Sequence, residues 1–359
     1  MTGDTRAIEG APRERRRPGI RRLVVGAGLA VGAGAAALLA GCASMSKTEI
    51  RERLLALEVN RAVAETGLTT LEFEADLGDG AATHELVHLF VPAANDTGLP
   101  PVVLVHGTPD TLFAWTPLIF GEGGEPGLAA ERDVYAIEVI GHGIAPGRVR
   151  GATTFEHCAR FVNAAVRALD IEPAHVVGNS YGGEFAWRAV LNDPTRFASL
   201  TLIDSSGYAR RDGEFLPEER EMRENGLAGI GYLVNSRERI ETALAPHYDT
   251  IPEGRIEEVF LVCENSVNWN AMVDLVRDEE GHRQDEIANI SVPTLVVWGE
   301  DDLAYDPERF ARAFADDIPN AELVTFADTG HYPHESRRAE FLARLETFYG
   351  DVERGLAGN

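Results

Sequence analysis

Short apolar runs alternate with amphipathic stretches along most of this chain. Thr70 to Leu77 and Glu85 to Val91 alternate polar and apolar residues, the pattern of a half-buried antiparallel pair. Val102 to Val105, Val134 to Ile137, His175 to Val177, Leu200 to Ile203 and Thr294 to Trp298 are short β-rich runs suited to strands buried on both faces. Glu322 to Phe326 reads as a last, edge-like strand. Between these runs, Phe155 to Leu169, Glu184 to Asn192, Pro307 to Phe314 and Arg337 to Tyr349 carry helical patterning. Alternating strand and helix predicts parallel strands joined by right-handed crossovers. The rhythm breaks over 207–287, which is charged and helix-prone. That stretch predicts a helical cap inserted after the sixth strand, with Trp269 and Met272 as candidate linings of a substrate pocket.

The N-terminus has a different composition. Arg13, Arg15, Arg16, Arg17, Arg21 and Arg22 precede an uncharged run from Leu23 to Ala40 that ends in Leu39-Ala40-Gly41-Cys42. A basic segment, an apolar segment and small residues before a cut make a secretory signal. Its ending resembles a bacterial lipobox, in which Cys42 is lipidated and becomes the mature N-terminus. The expected organisation is therefore a signal over 1–42 and a tether over 43–67 with a short amphipathic helix acting as spacer. A core over 68–206 and 288–350, the cap over 207–287 and a tail over 351–359 complete it. The expected location is the cell envelope, outside the cytoplasm, with a lipid anchor in a membrane; the export route and the membrane stay open.

The formal net charge is -25. Such a surface repels nucleic acid and anionic headgroups, which disfavours a nucleic-acid partner. Lys47 is the only lysine and reads as genome composition. Cys158 and Cys263 fall in predicted helices of different regions, where isolated thiols are more often free and buried. No C-x-x-C or H-E-x-x-H spacing appears, so no metal or other cofactor is expected. Nothing in the pattern fixes an oligomeric state.

Against that background, the strand ends carry chemistry. Ala174 to Val177 runs into Gly178-Asn179-Ser180-Tyr181-Gly182-Gly183, a G-x-S-x-G motif between a buried strand and a helix. A serine on that turn is exposed for attack, and helix-terminal N–H groups can receive the oxyanion. Val102 to Val105 runs into His106-Gly107-Thr108-Pro109, where a glycine lets the next amide point into a cleft. The backbone N–H groups of Thr108 and Tyr181 are the expected oxyanion hole. Gly299-Glu300-Asp301-Asp302 follows another strand, and Asp302 is the chosen acid by its spacing from Gly299, ahead of Asp301 and Glu300. Gly330-His331 follows the last strand, and His331 is the candidate general base, with His334 its rival. His106 and His142 read as loop-structuring residues.

The order Ser180, Asp302, His331, each at a strand end, resembles the α/β-hydrolase fold superfamily over roughly 70–349. H-G-T-P at 106–109, G-H-G at 141–143, G-N-S-Y-G-G at 178–183, G-E-D-D at 299–302 and G-H-Y-P-H at 330–334 carry the likeness. The resemblance implies an α/β fold with a mostly parallel eight-stranded sheet, helices on both faces and an inserted cap. H-G-x-P with Trp115 beyond it is similar to the branch holding haloalkane dehalogenases and epoxide hydrolases, which places Trp115 among the pocket candidates. Those enzymes use an aspartate nucleophile, so Ser180 makes halide or epoxide opening unexpected. Asn179 stands where many relatives carry His, and Ile144-Ala145 replaces a Ser-containing loop end. The expected function is hydrolysis of an acyl ester of a small molecule by a Ser-His-Asp triad. Carbon–carbon bond hydrolysis or peracid formation on the same triad is the alternative. A catalytically silent surface lipoprotein that only binds ligand is the alternative of another class.

Overall fold

The computed structural model describes residues 44–357 apart from Asp96 and Asp249. The signal segment and Cys42 lie outside the described residues. Eight strands form one sheet: β1 (Thr69–Asp76), β2 (Ala81–Val91), β3 (Val102–Val105), β4 (Val134–Ile137), β5 (Ala174–Asn179), β6 (Phe197–Ile203), β7 (Thr294–Gly299) and β8 (Ala321–Phe326). Their spatial order is β1-β2-β4-β3-β5-β6-β7-β8. β2 runs antiparallel to both neighbours, and every other pairing is parallel. The sequence pattern follows from position: β3, β5, β6 and β7 are buried at every residue, whereas β1 at the edge alternates exposed and half-buried residues.

Crossover helices cover the sheet. The long one, α3 (Phe155–Leu169), starts where the Thr154 hydroxyl accepts from the His157 amide and stops at left-handed Asp170. α4 (Tyr181–Asn192) follows β5 directly, three residues earlier than periodicity alone places it. α9 (Phe310–Asp317) lies three residues later than expected, because Asp306 first turns the chain by accepting from the Glu308 amide. The stretch between β6 and β7 folds into α5 (Pro217–Glu224), a 3₁₀ segment (Ala228–Val234), α6 (Arg237–Leu244), α7 (Arg255–Cys263) and α8 (Ser266–Asp278).

Three expectations need correction. Residues 44–67 are packed on the core and do not form a spacer. α1 (Lys47–Leu55) and α2 (Arg61–Thr66) sink Ile50, Leu54 and Val63 completely into the main apolar core. Lys47 is not a compositional accident either. Its Nζ donates to the carbonyls of His142 (3.0 Å) and Gly143 (2.9 Å) and to Asn268 of α8, binding the N-terminal helix to a core loop and to the inserted helices. Burial pulls its pKa down, and burial pushes nearby Glu138 up. Finally, 351–357 belong to a helix: α11 (Arg338–Ala357) continues because Val352 extends its buried stripe and Glu353 pairs with Arg132, itself buried. The Glu353 carboxylate also reaches His175 Nε2 (3.2 Å). Cys158 and Cys263 are free and buried, which pushes both thiols well up.

Candidate active site

β5 delivers Ser180 to a backbone of φ 56° and ψ -126°, which side-chain-bearing residues rarely adopt. Three glycines around it permit the turn. A Cβ at Gly178 would sit 2.3 Å from the Gly182 carbonyl oxygen, one at Gly182 2.3 Å from that of Val105, and one at Gly183 2.3 Å from the Ser205 hydroxyl. Only bare backbone lets β3, β5 and α4 approach this closely. The Ser180 amide donates to the Ile203 carbonyl (2.9 Å), which ties the elbow to β6. Asn179, the departure noted in the sequence, donates to the carbonyls of Ile203 and His331, both at 3.2 Å. It therefore bolts the serine turn to the histidine loop.

Gly107 packs on the same turn, where a Cβ would lie 3.0 Å from Ser180 Cβ and 2.9 Å from the Asn179 oxygen. That contact brings the adjacent Thr108 against the serine. Tyr181 is the first residue of α4, where an amide has no partner within its own helix. Its phenol donates to Glu279 (2.7 Å), which Tyr305 (2.9 Å) and Arg210 (2.6 Å) also reach. Burial of this carboxyl raises its pKa to about 7 even against Arg210.

His331 and Asp302 meet. Nδ1 of His331 is 2.9 Å from Asp302 Oδ2, and Asp302 Oδ1 accepts from the Ala304 amide (2.8 Å). Both residues are buried. Asp301 and Glu300 are exposed, and Glu300 takes the Thr325 hydroxyl instead. His334 is buried in α10 (Pro333–Ser336), its ring tilted 39° against that of Trp115 at a centroid distance of 4.8 Å. His106 Nε2 accepts from the Val139 amide (3.1 Å) and His142 Nδ1 faces the Ile140 carbonyl (3.0 Å), so both bond within loops.

Sequence reasoning missed Asp204, the residue directly after β6. It is fully buried, its Oδ1 accepts from the Gly299 amide (3.0 Å), and Oδ2 has no protein partner. One side-chain atom each from Asp204, Asp302 and His331 lies within 4.8 Å of the others. Burial first, then the neighbouring Asp302 charge, pushes the Asp204 pKa well above the carboxylate range. Such a grouping has metal-ligand chemistry, but the Asp302 and His331 atoms are already at hydrogen-bond distance from each other. The pattern fits two carboxyls sharing a proton beside an oriented imidazole. An acid at a strand end was a readable signal, but Leu200 to Asp204 carries no glycine to mark a functional turn.

Ser180, Thr108, Tyr181 and His331 open on one cavity of about 400 Å³. Its walls are mainly apolar side chains of the inserted helices, including Met222, Ile230, Leu244, Val259, Trp269 and Met272. Trp115 is not among them: the 3₁₀ turn Leu112–Trp115 folds its indole into the core beneath His334. His247, a second missed residue, also lines the cavity, its ring 5.4 Å from that of His331. Its Nδ1 is buried without a protein partner, and burial together with His331 pulls its pKa down to about 4.

A strained serine elbow, an imidazole–carboxylate pair and an apolar cavity on a mostly parallel sheet define a hydrolase of α/β fold. The sequence profile of the alpha/beta hydrolase family matches residues 102–345, and the chain belongs to that family. It is an enzyme, a hydrolase. The uncharacterized hydrolase YugF of Bacillus subtilis (strain 168) is 25% identical over 258 residues, covering 70% of this chain and 90% of that protein. A 2-hydroxy-6-oxononadienedioate/2-hydroxy-6-oxononatrienedioate hydrolase of Paraburkholderia xenovorans is 28% identical over 262 residues, covering 70% and 87%. Among solved structures, a membrane phospholipase A described as a bacterial virulence factor superposes with a TM-score of 0.62 at 20% identity, covering 90% of this chain and 96% of that one. An esterase from Thermogutta terrifontis superposes at 0.63 with 21% identity, covering 79% and 99%. These superpositions bear on the fold.

Proposed function

We propose that this chain is a serine esterase that cleaves acyl esters of apolar carboxylic acids, exported and held at a membrane through lipidated Cys42. His331 takes the Ser180 proton as the hydroxyl oxygen attacks the ester carbonyl carbon, and Asp302 stabilises the imidazolium. The Thr108 and Tyr181 amides hold the oxyanion, a contribution of roughly 10²–10³ in rate per donor. His331 then protonates the departing alcohol and activates the water that releases the acid. The observation that carries this reading is Ser180, at the strained elbow, opening on the same cavity as the Asp302-bonded His331.

The cavity also favours esters over the carbon–carbon reading. The relatives' named dioate substrates carry two carboxylates, and the charged residues lining this cavity are Glu218, Glu219, Glu221 and Arg239. Three acids against one arginine oppose a dianion, whereas the long apolar wall suits an acyl chain. A fluorophosphonate probe should label wild type at Ser180 and leave Ser180→Ala unlabelled. A series of p-nitrophenyl esters should then be turned over with a preference beyond acetate. Absence of labelling, or turnover of dioates in preference to esters, overturns the reading.

A further inference from the structure

Exposed apolar residues of this chain gather in one place. Leu227, Ile230, Leu233 and Val234 make up four of the six large apolar side chains exposed among the described residues, Leu227 at 66% and Val234 at 61%. They belong to the seven-residue 3₁₀ segment Ala228–Val234 and the residue before it. Side chains three apart eclipse in a 3₁₀ helix, so Leu227, Ile230 and Leu233 share one face. The neighbouring row is spoken for as far as Gly231, and Val234 emerges from it exposed at the segment's end. Ala228 is buried and its carbonyl accepts from the Trp269 indole (2.7 Å), while a Cβ at Gly231 would meet that ring at 2.4 Å. All four exposed residues also reach the mouth of the catalytic cavity. A soluble surface that exposes a contiguous apolar edge beside a pocket has a partner.

The start of the described chain says which partner. The Ser44 hydroxyl accepts from the Ser266 amide (2.8 Å), and the Met45 amide donates to the Glu264 carbonyl (3.0 Å). The Met45 carbonyl in turn accepts from Asn265 (2.7 Å). The Glu264 side chain accepts from Asn235 Nδ2 (3.1 Å), the residue that ends the apolar segment. Glu264 thus holds both the start of the described chain and the end of the apolar edge. Ser266 lies one turn of α8 from Trp269, about 4.5 Å along the axis. Cys42, two residues before Ser44, is at most about 7 Å away along the chain. On the anchor reading above, a lipid on that residue is tethered through the chain to the point where Ser44 and Met45 are held against Glu264, Asn265 and Ser266 of the inserted helices.

We propose that Leu227, Ile230, Leu233 and Val234 form a membrane-docking edge that inserts into a zwitterionic lipid surface and opens the cavity toward it. The inference rests on the esterase and anchor readings above and deepens them: the substrate is an acyl lipid that enters from the bilayer without crossing water. Electrostatics do not drive the docking. The segment from Pro217 to Leu244 carries six acids and four arginines, on a chain of net charge -25, so anionic lipid repels it. Insertion of an apolar edge by about 5–10 Å is the mode that fits.

Leu227→Cys supplies one reactive thiol where lipid blocks the sulfur of Cys42, since Cys158 and Cys263 are buried, and Cys42→Ser is added where no lipid is found. The mature chain, labelled there with a solvatochromic dye, is reconstituted in phosphatidylcholine vesicles with a spin-labelled lipid quencher. A chain found without lipid on its N-terminal peptide is simply mixed with the vesicles, so the surface is tested either way. The dye at 227 should shift to the blue and be quenched, and a dye at Glu74→Cys on edge strand β1 should do neither. Val234→Asp with Ile230→Asp should abolish quenching at 227, and phosphatidylglycerol in the vesicles should weaken it. A dye at 227 that stays aqueous, or is quenched no more than one at 74, overturns the docking edge. Quenching needs no catalysis and is repeated in Ser180→Ala, so failure of the esterase reading shows separately, as loss of fluorophosphonate labelling.

Discussion

Asp204 offers a test in which the direction of a pH effect is fixed by geometry. It is fully buried beside Asp302, one oxygen takes the Gly299 amide and the other has no protein partner. Burial and the Asp302 charge raise its pKa in the folded chain well above the unfolded value of about 3.9. The sign follows from proton counting. Above about pH 4 the unfolded chain releases this proton while the native chain keeps it, so rising pH favours unfolding until the native group ionises. The stability that the raised pKa contributes is complete only below the unfolded value. Asp204→Asn keeps an acceptor for Gly299 and places an N–H where the retained proton would face Asp302, and it has nothing to ionise. The variant should therefore gain on wild type as pH rises, by up to ~1.4 kcal/mol per pH unit for one retained proton. The assay is urea unfolding followed by tryptophan fluorescence for both proteins between about pH 5 and 8. A stability difference that is flat across that range, or that falls with pH, would mean Asp204 is ionised when folded and would refute the shared-proton arrangement.

Asp302→Asn leaves the Ala304 amide an acceptor but presents the wrong group to His331 Nδ1, so kcat for p-nitrophenyl butyrate should fall by roughly 10²–10⁴ with KM little changed. Steady-state kinetics on the folded variant checks it, and retention of most activity would move the acid role to Asp204. Glu353→Gln takes the charge from a carboxylate that pairs with buried Arg132 and touches His175. Glu346 remains beside Arg132, so the expected loss is about 1–3 kcal/mol. Urea unfolding of that variant measures it, and no loss would show that the last turns of α11 contribute no stability.

What the sequence disclosed and what it hid have a common physical origin. Strands buried on both faces announce themselves as apolar runs, and two of them end in residues whose chemistry is legible locally, Ser180 between glycines and Asp302 after Gly299, while His331 after Gly330 follows the edge strand β8. Gly299 and Gly330 are each demanded by a contact with the backbone of another segment, for Gly330 the His247 carbonyl oxygen, which a Cβ would approach to 2.5 Å. A Cβ at Gly299 would lie 2.0 Å from the Gly330 carbonyl oxygen, so the acid loop and the histidine loop are packed against each other through their glycines. Local spacing thus carried information about a tertiary contact.

The residues that went unread owe their roles to partners far along the chain. Lys47 bonds to His142, Gly143 and Asn268, Glu353 to Arg132 and His175, and Asn179 to the His331 carbonyl. No local period marks such a residue, because what makes it necessary is an unsatisfied group about a hundred or more positions away, and a buried charge or carbonyl tolerates no vacancy. Trp115 shows the converse error. A large aromatic after H-G-x-P looks like a pocket wall, but the 3₁₀ turn Leu112–Trp115, capped by Thr111, swings it under His334 instead. The cavity's apolar wall comes from helices whose buried faces are short and interrupted by charge, as in α5, where no residue is fully buried. Such helices take their position from α8 and the core beneath them. The shape of the cavity is therefore written in the packing within the insertion around Trp269 and Glu279, while the candidate reacting groups stand at the strand ends.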